Sequence, residues 1–102
     1  MSKNNCPLHY TLNLIGTKWQ PLILFHLLEG PLRSGVLQKK ISGISNKMFT
    51  QTVRELEQDG LIAREVFPVV PPKVEYSLTI KGKSLENILR NMDEWGATFY
   101  KD

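Results

Sequence analysis

Lys47, Thr50, Gln51 and Arg54 are spaced so that, at about 100° per residue, they fall on one side of a helix, with Gln58 extending the same side. Phe49, Val53 and Leu56 fall on the opposite side. The segment therefore divides into an apolar anchor and a face of hydrogen-bond donors with no carboxylate at its centre, Glu55 and Glu57 lying towards the flanks. Arg, Lys and Gln at such positions match the acceptors on base edges and phosphates of duplex DNA, where a carboxylate would be repelled. A polar helix face that is merely solvated is the other reading. The neighbouring elements decide between the two.

Cys6 is the second centre of possible chemistry. It stands just before Pro7 at the start of an expected helix, where the positive end of the helix dipole favours a thiolate and eases oxidation or alkylation. The alternative is a thiol that only fills space. As the single cysteine of the chain it can form no internal disulfide, so any bridge must join two chains or capture a small thiol. Cys6, His9 and the distant His26 fall short of a structural zinc pattern, and no metal or other cofactor is expected. The sequence has no nucleophile elbow, Gly-rich phosphate loop or paired-carboxylate motif, which argues against an enzyme. Tyr10, Trp19, Phe25 and Trp95 could line a pocket for a small effector, although core packing is the commoner use of aromatics at helical spacing.

The elements that must position these residues can be read along the chain. Leu8, Leu12 and Ile15 predict a first helix from about residue 6 to 15, and the apolar run from Lys18 to Glu29, with Pro21 in its first turn, predicts a buried central helix ended by Gly30. Pro31 to Arg33 allow only a short extended segment. Ser34 is the expected N-cap of a short helix carrying Val36, Leu37 and Ile41, and Ser45 that of the polar-faced helix, which Gly60 closes. Leu61 to Phe67 favour a strand, and Val74, Tyr76 and Leu78 alternate with polar residues in a second. Pro68, Pro71 and Pro72 stiffen the loop between them. A stiff exposed hairpin following a helix-turn-helix is a wing.

The fold class expected is therefore α+β: a winged helix-turn-helix, mostly helical, with a two- to three-stranded antiparallel wing and a C-terminal dimerisation helix. Residues 1–102 form one domain, the helix-turn-helix at about 34–60 and the wing at about 61–79. From about residue 80 to 100, Leu85, Ile88, Met92, Trp95 and Phe99 recur at alternating spacings of three and four, with Leu89 widening the stripe. A chain this short has little core left to cover that seam, so packing between two copies is expected.

Thirteen Lys and Arg against ten Asp and Glu give a formal charge of +3, a weak pointer to an anionic partner. Their placement says more, because Arg33, Lys39, Lys40, Lys47, Arg54, Arg64 and Lys73 all lie in the middle of the chain. The N-terminus lacks the apolar core of a signal peptide and PLILFHLL is too short to span a bilayer, so no membrane partner and a cytoplasmic location are expected.

With Cys6-Pro7, GTKW at Gly16 to Trp19, HLLEGPLR at His26 to Arg33, GIS at Gly43 to Ser45, TQTVRELEQDGLI at Thr50 to Ile62 and PPKVEYSLT at Pro71 to Thr79, the sequence closely resembles the HxlR family of winged helix-turn-helix transcription regulators, akin to MarR-type regulators. The resemblance covers nearly the whole chain. It implies a cytoplasmic homodimer that binds double-stranded DNA through helices and wings of both chains and dimerises through its terminal helices, and it makes a response to thiol oxidants or electrophiles through Cys6 plausible.

Side-chain reach then divides the labour. Lys47, Gln51 and Arg54 are expected at base edges, Thr50 and Asn46 nearer phosphates, and Ser45 at both cap and phosphate. Arg64 and Lys73 on the wing, with Lys39 and Lys40 before the turn, would add phosphate attraction that is largely independent of sequence. Winged helices also serve as protein-interaction modules, and that is the competing reading.

Overall fold

The computed structural model describes residues 6–101. Helix α1 (Pro7–Ile15) begins with Pro7 in its first turn, where the missing N–H has no helical acceptor to lose, and Gly16 ends it. Of its apolar residues Ile15 is buried while Leu8 and Leu12 remain more than half exposed. Helix α2 (Trp19–His26) runs through the centre, with Ile23 and Leu24 fully buried. It is shorter than its apolar run suggests: the chain tightens through Leu27–Glu29 and leaves at Gly30, whose φ of 141° only glycine tolerates well.

Strand β1 (Leu32–Arg33) is followed directly by helix α3 (Ser34–Lys40). Arg33, not Ser34, takes the cap position there, and no side chain caps α3. Helix α4 (Asn46–Gln58) is capped as expected, the Ser45 hydroxyl accepting from the Met48 N–H at 3.0 Å, and Gly60 closes it at φ 76°.

Strands β2 (Ile62–Phe67) and β3 (Lys73–Leu78) form the wing in antiparallel register, Ile62 opposite Leu78 and Phe67 opposite Lys73. The short segment after Pro31 is their third partner: Leu32 and Arg33 pair with Tyr76 and Glu75, giving the order β1-β3-β2. Ile23, Leu24, Leu37, Phe49, Leu56 and Tyr76 meet in one core beneath α4 and the sheet.

The C-terminal element is not one continuous helix. A single turn, α5 (Ile80–Lys83), is capped by Thr79, whose hydroxyl accepts from the Gly82 N–H at 3.1 Å. Gly82 lies so close to residue 61 that an added Cβ would stand 2.1 Å from the Leu61 carbonyl oxygen. The chain turns at Ser84–Leu85 before α6 (Glu86–Phe99). The expected seam is thus 14 residues long, about 21 Å at the helical rise.

Candidate nucleic-acid interface

Helix α4 is anchored by Phe49, Thr52, Val53 and Leu56, all buried. The Phe49 ring stands edge-on to Tyr76 at 6.3 Å, and the Thr52 hydroxyl donates back to the Met48 carbonyl at 2.7 Å, so this polar side chain costs the core no unpaired group. With that side fixed, Asn46, Lys47, Thr50, Gln51, Arg54 and Glu55 line one open groove on the outer side. Glu55 was expected at the flank; it lines the C-terminal end of the groove beside Arg54. Among the described residues the ion pairs, Lys73–Glu75, Arg90–Glu29 and Arg90–Glu86, all lie off this face.

The turn before α4 is held by a bond the sequence did not suggest. Gln38 of α3 donates its side-chain amide to the Asn46 side-chain oxygen, locking the two helices of the motif together at the first turn of α4. Asn46 keeps its two amide hydrogens and one oxygen lone pair for another partner. No sequence pattern flags a contact between side chains eight residues apart across a turn.

The basic residues gathered in the middle of the chain separate into three places. Arg33 and Lys39 border a groove between the start of α3 and the wing, together with Lys73 and Val70. Lys40 lies on another side: its charge acts on His26, whose pKa is lowered from 6.5 first by burial and then by Lys40. Arg64 pairs across the sheet with Tyr76 and donates to its hydroxyl. Burial raises the Tyr76 pKa and Glu57 adds to that, while Arg64 and Arg54 pull it down. The Tyr76 hydroxyl thus feels the charges of both Arg54 on the helix and Arg64 on the wing, which alternation alone did not reveal.

Lys73 is less available than expected. Its ammonium lies 3.5 Å from the Glu75 carboxylate and 4.4 Å from the centre of the Phe67 ring. The wing tip, Pro68 to Pro72, bears no charged side chain, and Val70 is 99% exposed.

A second face lies on α6. Ile88, Met92, Trp95 and Phe99 are exposed along one stripe, with the Trp95 and Phe99 rings 5.1 Å apart. Leu89 does not belong to it. Lying about 100° from Ile88 around the helix, it turns inward and is 3% exposed in the chain's own core, with Leu85 half-buried against that core. Arg90 fixes the helix by pairing with Glu86 at 2.7 Å and Glu29 at 3.1 Å.

Cys6 is exposed at the start of α1, and its side chain makes no cap bond. Of the four aromatics considered for an effector pocket, Phe25 lines the cleft between α2 and α6 with Pro21, Leu22, His26 and Met92. Trp19 packs against the core, Tyr10 meets Lys81, and Trp95 meets Phe99. Among the described residues no group of three His, Cys, Asp or Glu could hold a metal, and no helix is long and apolar enough to cross a membrane.

Comparison with known proteins agrees with this geometry. The HxlR-like helix-turn-helix family model matches residues 14–102. MalR of Fusobacterium mortiferum, named a regulatory protein, is 50% identical over 96 residues, spanning 93% of this chain and 91% of that one. The redox regulator HypR in its oxidized form superposes with a TM-score of 0.90 at 42% identity, covering 95% of this chain and 100% of that chain. A MarR-family transcriptional regulator from Porphyromonas gingivalis W83 superposes at 0.92 with 34% identity over 98% of each chain.

Proposed function

The chain belongs to the HxlR-like helix-turn-helix family of transcriptional regulators, and on that premise we propose that it acts as a homodimer on a pseudopalindromic operator, its two α4 helices entering successive major grooves with centres about 34 Å apart. The observation that carries this reading is the open face of Lys47, Thr50, Gln51 and Arg54 on a helix seated by four buried residues. Lys47, Gln51 and Arg54 reach for base edges. Thr50, Asn46 and Ser45 lie nearer phosphates, with Lys39, Arg64 and Lys73 adding attraction from α3 and the wing. Glu55 restricts the reading end of the groove, since a carboxylate beside Arg54 tolerates a cytosine amino group and repels phosphate.

The dimer forms through the exposed stripe of α6 together with α1, whose Leu8 and Leu12 are also open. Cys6, at the start of that same α1, is the residue through which thiol oxidants would act. The likeness to a protein named a redox regulator supports this. Modification would displace α1 and with it the spacing of the two readers. Replacing Cys6 by Ser is expected to abolish any oxidant effect on DNA binding; an unchanged response would remove Cys6 from the mechanism.

Selection of duplexes from a random pool tests the main reading. The expected product is a two-fold-related site with half-sites one helical turn apart, bound with strong salt dependence. Absence of binding to any duplex at low salt would point to a protein-interaction module instead.

A further inference from the structure

The segment from Thr79 to Gly82 closes the C-terminal end of α4 like a collar. Three successive carbonyls just past that helix each accept from it: Asp59 from the Lys81 ammonium at 3.2 Å, Gly60 from the Thr79 hydroxyl at 2.5 Å, and Leu61 from the Thr79 N–H at 3.1 Å. They belong to the C-cap Asp59 and the two residues after it, the Leu61 bond continuing the pairing of Ile62 with Leu78, and a lysine there also faces the negative end of the helix dipole. Gly82, pressed against the Leu61 carbonyl, keeps the collar from shifting.

Within the collar, Lys81 makes a contact that the others do not. Its ammonium also donates to the Tyr10 hydroxyl of α1 at 3.0 Å, with the Tyr10 ring centre 5.6 Å away. One ammonium with three donors thereby joins α1 to the end of α4, its contact with Tyr10 spanning 71 residues of sequence. Helix α1 otherwise stands largely clear of the core, with Ile15 as its buried anchor at the far end. Leu14 adds to that anchor near the same end, and towards the N-terminus the Tyr10–Lys81 contact ties α1 to the rest of the chain.

We infer that Lys81 is a positioning residue that couples the angle of α4 to α1, and so makes the half-site spacing the protein accepts depend on the dimer contact. The inference rests on the proposed reading that α4 binds DNA and α1 takes part in the dimer. Because the bond is exposed, its worth to stability is small. Its effect is geometric. Changing the spacing by one base pair moves the second half-site by about 3.4 Å along the axis and about 35° around it. With α4 seated in the core, a body held to its own α1 by Lys81 cannot follow such a shift, whereas one freed from that contact can turn relative to α1 and carry α4 with it.

The test uses the full chain and the operator recovered by duplex selection, with versions whose half-site spacing is one base pair longer or shorter. Wild type is expected to prefer the matched spacing at least tenfold. Lys81→Met, which keeps the aliphatic stem and removes the donors, should narrow that preference to threefold or less, with dimerisation and half-site base preference retained. Tyr10→Phe removes only the hydroxyl acceptor and should do the same, while Lys81→Arg should restore the preference. If Lys81→Met fails to fold, Tyr10→Phe decides, since it deletes one oxygen from a half-exposed ring. Folded, dimeric Tyr10→Phe with the wild-type spacing preference would overturn the inference. A wild-type protein that binds no duplex would instead overturn the functional reading, and this one with it.

Discussion

Helices α4 and α6 are nearly equal in length, 13 and 14 residues, and both are amphipathic, yet they present opposite faces to the outside. Helix α4 buries four residues and turns its polar side outward. Helix α6 buries Leu89 alone and leaves Ile88, Met92, Trp95 and Phe99 open. An apolar stripe on a helix says that something must cover it, but not whether the cover is the same chain or another. For α4 the cover is the sheet and α2. For α6 the chain supplies only part of it, and on the proposed reading one helix therefore meets a polyanion and the other a second apolar surface.

The most severe way to break this contrast is to make α6 polar. Replacing both Trp95 and Phe99 by Ser removes two rings from a surface the chain does not itself bury, so the fold should survive while dimerisation weakens by on the order of 3 kcal/mol or more, about a hundredfold. Sedimentation would show the shift to monomer, and operator affinity should fall with it. An undiminished dimer would mean that the stripe serves another purpose.

A smaller effect separates the residues proposed to meet DNA. Arg54→Ala should cost about 1 to 3 kcal/mol at the selected site and relax base preference there. Lys73→Ala, removing an ammonium already engaged by Glu75 and Phe67, should cost less than about 1 kcal/mol and weaken all sequences alike. Competition titrations against scrambled duplex distinguish the two; equal behaviour would collapse the division between reading and holding.

The smallest effect concerns the seat of α6. His26 lines the cleft beneath that helix, and burial followed by Lys40 lowers its pKa from 6.5. The unfolded chain therefore takes up a proton more readily than the folded one. Stability from this residue is fully present above pH 6.5 and is lost as pH falls through the lower folded value. His26→Gln should flatten the melting temperature over that acid range and leave it unchanged near pH 8.

Helix α4 was legible because each of its determinants is local. Ser45 caps it, Phe49, Val53 and Leu56 mark its inner side, and Gly60 supplies the left-handed stop. The wing was legible for the same reason, through the alternation ending in Tyr76 and Leu78. What escaped depends on contacts distant in sequence. The break at Ser84–Leu85 accompanies the docking of Gly82 on Leu61; Gly82 and Ser84 are weak helix formers, but neither says where the chain turns. Leu89 fitted the outer stripe as well as the inner one until α2 claimed it. Lys39 and Lys40 are adjacent in sequence, and only the placement of α3 sends one towards the wing and the other towards His26. The bond from Gln38 to Asn46 has no sequence signature at all.

The two-residue strand Leu32–Arg33 has a consequence beyond completing the sheet. By pairing with the middle of β3 it occupies backbone groups that would otherwise invite a foreign strand, and β2 on the far side carries Arg64 and Glu65 in a row ending near Pro68. Neither border of the sheet is a good template for strand addition. On the proposed dimer reading, with the apolar stripe of α6 left open, this directs self-association through helices, where it closes at two copies, and away from backbone pairing, which runs on into a fibre.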